Sequence, residues 1–373
     1  MSENVVSVDA KTVEQTVTLS CLRRGQDTKA ARLLTQLVGG QPPSATTVDR
    51  LFDALGTAPS ERARLLAAAR YYARQAIEAA RAKRIATVPY FDAGYPALLR
   101  LIPDPPVVLW TVGDLTGAAA APAAAIVGSR AASPAGLEVA RRLASDLAEA
   151  GLTIVSGMAR GVDAAAHRGS LDAGGKTIAV LGCGVDVIYP PEHAELAERV
   201  RNSGAVVSEL LPGTVPLPYN FPLRNRIISG LSTAVIVIEA SEKSGSLITA
   251  RAALEQNRNV LAVPGSVASG RSRGCHALIK DGARLVETVE DVLQELGWTV
   301  PRMAVKPDKS LQISDLEGEM ALGEPYSVDD LAIRTGRLTS AILAELGALE
   351  LAGRVQRIPG GRFVRLDGPV IDR

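Results

Sequence analysis

The region between residues 107 and 298 alternates short, almost wholly apolar runs with stretches of helical periodicity, and this feature constrains the fold most. The apolar runs lie at 107–110, 126–127, 152–155, 177–181, 205–207, 234–239, 259–263 and 284–286. Strands that are apolar on both faces are typical of parallel sheets covered by helices on each side. The pattern therefore predicts a doubly wound α/β domain with a Rossmann-like sheet.

The segments on either side of this region follow other patterns. Before it, helical periodicity rich in Ala and Arg predicts a small all-helical domain, including a helix that ends before Gly39. After it, the order helix, helix, hairpin is typical of a winged-helix domain. We therefore divide the chain into a flexible arm (1–28), a helical domain (29–105), a Rossmann-like domain (106–298), a linker (299–311) and a winged-helix domain (312–373).

The charge balance excludes a uniformly basic protein that coats nucleic acid. The chain has 41 Lys and Arg against 40 Asp and Glu, so its net charge is only +1. The first 100 residues carry 14 basic and 9 acidic side chains, whereas the middle of the chain is net acidic. Any binding site for a polyanion in the middle must therefore be a local patch.

Cysteine and histidine are sparse and isolated. The three cysteines and three histidines form neither a metal-binding spacing nor a disulfide framework, which fits a reducing compartment. No apolar run reaches the roughly 18 residues that a membrane helix needs, and the start lacks the pattern of a signal peptide. We therefore expect a soluble, cytoplasmic protein that contacts no membrane and holds no metal or cofactor.

Two glycine-containing turns follow predicted strands, where doubly wound sheets bind their ligands. In Gly128-Ser129-Arg130, small residues expose backbone N–H groups to an anion, and the arginine offers a fork for phosphate. Ser156-Gly157 ends the next strand in the same way. For Gly128-Ser129-Arg130, an ordinary tight turn between strand and helix is the alternative.

Two polar residues after the second turn, Asp163 and His167, could in principle carry acid–base chemistry. Asp163 is better placed as the N-cap of the helix that follows. His167 has no nucleophile or metal partner in the sequence, so a structural role is favoured.

The stretch from Tyr219 to Leu231 is the most unusual segment of the chain. The whole chain has thirteen aromatic residues, and two of them lie in this segment beside two arginines and two asparagines. Aromatic rings stack on nucleobases, while Arg and Asn reach phosphates and base edges. The segment therefore predicts a single-strand binding site made of Asn220, Phe221, Arg224, Asn225 and Arg226. The alternative is a structural loop with a buried Phe and Arg–carboxylate pairs, in which Glu239 is a possible partner.

Together these motifs resemble the DNA-processing protein A family (DprA, also called Smf). The resemblance rests on the order of the motifs across residues 107–292 and above all on the long match from Asn220 to Leu231. Tyr189-Pro190 and the run 278–283 also take part in it. The helical start resembles the family's sterile-alpha-motif-like domain, and the C-terminal segment resembles its winged-helix domain.

The resemblance implies a non-catalytic bacterial protein that binds and protects single-stranded DNA during natural transformation and helps to load the RecA recombinase onto it. It implies a binding pocket at the residues already named: Gly128, Ser129, Arg130, Phe221, Arg224, Asn225 and Arg226. It also implies a homodimer formed through the later part of the Rossmann-like domain. The candidate interface residues there are His276, Leu278, Ile279, Val286 and Val289, although the apolar ones are equally explained as core.

The sequence departs from the family pattern after Tyr189-Pro190, where Pro191 and Glu192 stand in place of an expected basic residue. One phosphate contact is therefore expected to be missing. Two regions are candidates to compensate: the helical domain, with the net charge of +5 in the first 100 residues, and the flexible basic loop that carries Arg271 and Arg273.

Two other functions fit parts of the sequence. A nucleotide-processing enzyme related to nucleoside monophosphate hydrolases shares the Rossmann-like pattern, but the glycine run of that class is absent beside Glu239. A winged-helix regulator would bind a defined duplex site, which the net acidic C-terminal segment discourages.

Overall fold

The computed structural model of the chain describes residues 9–22, 43–298, 315–351, 354–358 and 360–365. The chain divides near residue 299 into two compact units. The predicted linker and the predicted helix before Gly39 lie outside the described residues. None of the described helices combines the length and the apolar character needed to cross a membrane.

A nine-stranded sheet lies at the centre of the first unit. Its strands are β1 (Ala86–Pro89), β2 (Val108–Gly113), β3 (Ala123–Gly128), β4 (Thr153–Ser156), β5 (Thr177–Val180), β6 (Ala205–Ser208), β7 (Ala234–Ile238), β8 (Asn259–Ala262) and β9 (Arg284–Leu285). Their order is β1-β2-β6-β5-β4-β3-β7-β8-β9. The pairs that include β1 or β2 are antiparallel, and the other pairs are parallel. The chain order reverses between β3 and β7, so a ligand crevice is expected at their carboxyl ends.

Helices cover both faces of the sheet, which confirms the predicted doubly wound fold. They are α1 (Ala10–Leu22), α2 (Ala45–Ala54), α3 (Pro59–Ala82), α4 (Ala97–Arg100), α5 (Leu115–Ala119), α6 (Pro134–Glu149), α7 (Val162–Asp172), α8 (Ala194–Ser203), α9 (Asn220–Gly230), α10 (Ser246–Glu255), α11 (Arg273–Lys280) and α12 (Val289–Glu295). Neighbouring residues of β3 show why the strands are apolar throughout. Ile126 joins the core that contains Leu143 of α6, whereas Val127 joins the core that contains Ile227 of α9.

Helix α1 corrects the predicted flexible arm, because residues 10–22 of that segment are helical. This helix packs along α3, and its Val17 and Leu19 are fully buried in the same core as Ala73. Thr and Val have modest intrinsic helix propensity, so the segment shows little helical signal on its own. Burial against α3 stabilises the helix, as tertiary packing does for most helices in proteins.

Residues 86–89 also differ from the helical pattern predicted around them. They form the edge strand β1, in which Thr87 pairs with Trp110 of β2. Trp110 is fully buried in the core that also contains residues of α1 and α3. The N-terminal helices and the sheet therefore belong to one compact unit. The boundary between residues 105 and 106 stays a prediction.

The second unit has the predicted winged-helix order. Its elements are α13 (Asp315–Gly318), β10 (Pro325–Tyr326), α14 (Val328–Thr335), α15 (Thr339–Leu351), β11 (Val355–Ile358) and β12 (Arg362–Arg365). The Ser327 side chain accepts the backbone N–H of Asp330 at the start of α14, and Gly336 ends that helix in the left-handed conformation. Helix α15 carries two glutamates and no lysine or arginine. It therefore offers no cation to the phosphates of a DNA duplex.

Candidate nucleic-acid interface

An open cleft lies at the carboxyl ends of β3 and β7, where the strand order reverses. Its volume is about 580 Å³. The structure brings six of the ten predicted binding residues to its lining: Gly128, Ser129, Arg130, Phe221, Arg224 and Asn225. We refer to it as the Arg130 cleft.

The turn after β3 forms one wall of the Arg130 cleft. Gly128 is required there, because a Cβ atom would overlap the carbonyl oxygen of Ile238 in the neighbouring strand β7. Arg130 is exposed, and its guanidinium carbon lies 5.4 Å from the centre of the Phe221 ring. The turn therefore presents an exposed cation beside an aromatic ring, a pair that suits a phosphate next to a base.

Glu239, the first residue after β7, holds this turn in place. Its carbonyl oxygen accepts the N–H of Ser129 at 3.0 Å. Its carboxylate accepts the N–H of Ser133 at 2.8 Å and also the Ser133 hydroxyl. Glu239 adopts a φ of 50°, and such a conformation costs a non-glycine residue roughly 1–3 kcal/mol. Arg271 lies 3.7 Å from the carboxylate, so Glu239 does have an arginine partner, and its contacts make it a positioning residue.

Two aromatic rings form the opposite wall. The ring centres of Tyr189 and Phe221 are 5.5 Å apart, and the rings are tilted by 47°. Phe221 packs closely on Gly182, where an added Cβ atom would lie 2.9 Å from the ring. Tyr189 keeps 37% of its surface exposed. The Phe221 ring is therefore fixed by packing, the Tyr189 ring is more accessible to solvent, and both are surfaces on which bases can stack.

Arg224 forms the floor of the Arg130 cleft. Its buried guanidinium donates to the carbonyl oxygen of Gly157 at 2.6 Å and to that of Val180. Burial lowers the pKa of Arg224 to about 10, and the nearby Asp163 carboxylate opposes this shift. The guanidinium is therefore charged at neutral pH. A Cβ atom on Gly157 would lie 2.6 Å from it, so this glycine makes room for Arg224.

The remaining predicted residues lie behind the cleft. Ser156 is buried and donates its hydroxyl to a carbonyl oxygen of β3 at 2.6 Å. Asn220 is also buried and lines a different groove. Arg226 is buried and forms ion pairs with Asp104 at 3.1 Å and Glu209 at 2.8 Å. For Arg226, the structure therefore shows the Arg–carboxylate pairing that the sequence left open as an alternative.

Asp163 and His167 have partners within the fold. The Asp163 carboxylate accepts the N–H groups of Gly157 at 3.2 Å and Ala159 at 3.3 Å, and burial raises its pKa. Burial lowers the pKa of His167 to about 3, so its ring is neutral at pH 7. The Nδ1 atom of this ring lies 2.7 Å from the Thr177 hydroxyl. In the ranges that the structure describes, no cluster of His, Cys, Asp and Glu could hold a metal ion.

An exposed arginine lies on each side of the cleft, and both arginines already have partners. On one side, Arg160 donates a hydrogen bond to the Glu192 carboxylate, and both side chains are exposed. On the other side, Arg271 donates to the carbonyl oxygen of Ala131 at 3.0 Å. The basic loop therefore reaches the turn after β3, a contact between distant segments that no local pattern signals.

The residues predicted for a dimer interface lie on or near α11 and β9, at one edge of the sheet. Val286 is only 1% exposed and belongs to the core, so its side chain has no surface to offer a partner. Leu278, Ile279 and Val289 are partly buried against the cores beneath them. His276 contacts a backbone carbonyl oxygen at 3.0 Å.

Two family profiles match the chain. The profile described as DNA recombination-mediator protein A matches residues 86–297. The profile described as DprA winged helix domain matches residues 321–361. Protein Smf of Escherichia coli is 42% identical over 290 residues, which cover 75% of this chain and 77% of that protein. DNA processing protein DprA of Streptococcus pneumoniae is 48% identical over 204 residues, 55% of this chain and 72% of that protein.

Solved structures show the same relationship. The crystal structure of DNA processing protein A from Streptococcus pneumoniae matches with a TM-score of 0.66 and 36% identity, covering 76% of this chain and 97% of that chain. The Helicobacter pylori protein, which is described as having a unique single-stranded DNA binding mode, matches with a TM-score of 0.52 and 30% identity. That match covers 57% of this chain and 95% of the other.

We predict that Arg226 contributes to stability, whereas Arg130 does not. Replacing Arg226 with Met removes a buried guanidinium from two carboxylates, so the free energy of unfolding should fall by about 3–5 kcal/mol. Arg130→Met, at an exposed position, is the matched control and should change it by no more than about 0.5 kcal/mol. Chemical denaturation measures both values. Equal stability of the two variants would contradict the assignment.

Proposed function

The chain belongs to the DNA recombination-mediator protein A family, and from this premise we propose that its Arg130 cleft binds single-stranded DNA. The observation that carries the proposal is the exposed Arg130 guanidinium beside the Phe221 ring, at the mouth of a cleft built at the strand-order reversal. The relative from Helicobacter pylori, whose described property is single-stranded DNA binding, supports it.

The cleft suits a single strand for three physical reasons. Exposed Arg130 pairs with a phosphate, while the rings of Phe221 and Tyr189 stack on unpaired bases. Buried Arg224 adds a fixed positive charge beneath them. Stacking accepts every base, so the binding is expected to be largely independent of sequence. In a duplex the bases are stacked on each other and their faces are not accessible to these rings.

The same geometry favours a binding role over a hydrolytic one. The Asp163 carboxylate lines the cleft but already accepts two backbone N–H groups. The other candidate carboxylate is that of Glu239, the first residue after β7. Here it is 92% buried and is engaged by Ser133 and Arg271. Its contacts position the turn after β3. We therefore propose a non-catalytic protein.

The binding test compares a fluorescent oligo-dT strand with a matched duplex over a series of salt concentrations. We expect the single strand to bind more tightly, with an affinity that falls as salt rises, because phosphate contacts release counterions. Phe221→Ala should weaken binding by about 1–3 kcal/mol for the lost stack, and Arg130→Ala should weaken it and flatten the salt dependence. Arg142→Ala, a similarly exposed arginine on α6, is the control. Wild-type binding by both cleft variants would refute the assignment of the site.

We further propose that the protein protects single-stranded DNA taken up in natural transformation and helps RecA to assemble on it, as its family membership suggests. A direct test follows RecA assembly, by its DNA-dependent ATP hydrolysis, on single strands precoated with single-strand binding protein. The full-length chain should shorten the lag before assembly, and Arg130→Ala should not. An unchanged lag with the wild-type chain, under conditions where it binds DNA, would disprove a loading role.

We also propose a homodimer formed through the region 276–292. Ile279 is partly buried on α11, a helix that packs on β8 next to the edge strand β9. Ile279→Asp should shift the sedimentation equilibrium toward the monomer, because a charge would be buried in the interface. Leu254→Asp, on exposed surface of α10, is the control and should leave the equilibrium unchanged. A wild-type chain that sediments as a monomer would rule out the dimer.

A further inference from the structure

Among the described residues, the exposed aromatic side chains are all tyrosines. They are Tyr71, Tyr72, Tyr189 and Tyr219. Tyr71 and Tyr72, on α3, are 61% and 59% exposed, and their ring centres lie 5.7 Å apart. Large aromatic rings are normally buried where the fold allows it, so adjacent exposed rings often mark an interaction site.

A second groove lies between the N-terminal helices and α9. Its volume is about 330 Å³, a size typical of ligand sites with mainly apolar walls. Tyr72 and Tyr219 lie on its two sides: Tyr72 comes from α3, and Tyr219 immediately precedes α9. The other lining residues include Cys21, Val107, Leu211, Leu217, Asn220 and Leu223. We call it the tyrosine groove.

The tyrosine groove adjoins the Arg130 cleft. Arg224 lines both of them. Helix α9 separates the two: Asn220 and Leu223 face the groove, whereas Phe221 and Asn225 face the cleft. Tyr219 stands at the N-terminal end of this helix, two residues before Phe221. A strand that leaves the cleft over this end of α9 therefore passes Tyr219 and enters the groove.

The cation that lines the tyrosine groove is Arg224, which also lines the Arg130 cleft and is charged at neutral pH. Glu209 lines the groove too, but its carboxylate forms an ion pair with Arg226 at 2.8 Å. The exposed arginines Arg70 and Arg74 of α3 line a separate pocket with Glu14 and do not line the groove. Aromatic rings beside an arginine are the combination that single-strand binding surfaces use.

We propose that the tyrosine groove is a second segment of the single-strand binding path. The strand runs from the Arg130 cleft across the start of α9, and its bases stack on Tyr219 and Tyr72, the two aromatic residues that line the groove. This inference rests on the function proposed for the Arg130 cleft. It extends that site from the sheet to the N-terminal helices, which the compact first unit holds against it.

Binding of DNA strands of different length distinguishes the two segments of the proposed path. An oligo-dT of about 5 nucleotides fills one segment, whereas one of about 16 nucleotides spans both, judging from the site sizes of other single-strand binding folds. Tyr72→Ala should weaken binding of the long strand roughly tenfold, which is one lost stack, and leave the short strand unaffected. Tyr72→Phe keeps the ring and should bind as the wild type does. Leu254→Ala removes a similarly exposed apolar side chain outside both segments and is the control.

A photocross-link tests the contact itself. A long strand that contains iododeoxyuridine should attach, on irradiation, to the peptide carrying Tyr71 and Tyr72, and mass spectrometry identifies that peptide. Two results would overturn the proposed role of the tyrosine groove, provided that Arg130→Ala still weakens binding. One is binding of the long strand by Tyr72→Ala as tightly as by the wild type, and the other is cross-links confined to the Arg130 cleft. A wild-type chain that binds neither strand would instead overturn the proposed function itself.

Discussion

The buried guanidinium of Arg224 joins the parts of the site to one another. It donates to carbonyl oxygens at Gly157 and Val180, beyond β4 and at the end of β5, and its carbon lies 5.8 Å from the centre of the Phe221 ring. One side chain therefore fixes α9 against two strand ends and sets the position of the aromatic wall. A charge buried in this way needs several partners to offset its lost hydration, and the backbone carbonyls together with Asp163 supply them.

Three arginines close in sequence or space have three different environments. Arg224 is buried among carbonyl oxygens, Arg226 is buried between carboxylates, and Arg130 is exposed beside a ring. Of the three, only Arg130 is exposed to solvent. The two buried arginines already have partners, so both contribute rigidity. Arg224 donates to backbone carbonyl oxygens and adds local positive potential, whereas the charge of Arg226 is offset by Asp104 and Glu209. Helix α9 therefore both stabilises the fold and forms one wall of the Arg130 cleft.

Much of the fold follows from local patterns, and the exceptions have physical causes. The buried strands were predictable because residues such as Ile126 and Val127 must be apolar on both faces. Helix α1 was not predictable as a helix, since its stability comes from packing on α3. Strand β1 is short and lies at the sheet edge, where its pairing with β2 decides its conformation. Within the site, the Gly128-Ser129-Arg130 turn was predictable because a glycine and a cation at a strand end suggest an anion site.

The sequence by itself determined that Asn220 to Leu231 would be chemically special, because aromatic, arginine and asparagine side chains rarely cluster in this chain. Only the tertiary structure decided which of them line the Arg130 cleft. Helix α9 turns about 100° per residue, so Phe221 and Asn225 face the Arg130 cleft while Asn220 faces the tyrosine groove. Arg226 meets Asp104 and Glu209, which come from distant positions in the chain. Composition does not encode such long-range pairing, because it depends on how the packed sheet brings separate segments together.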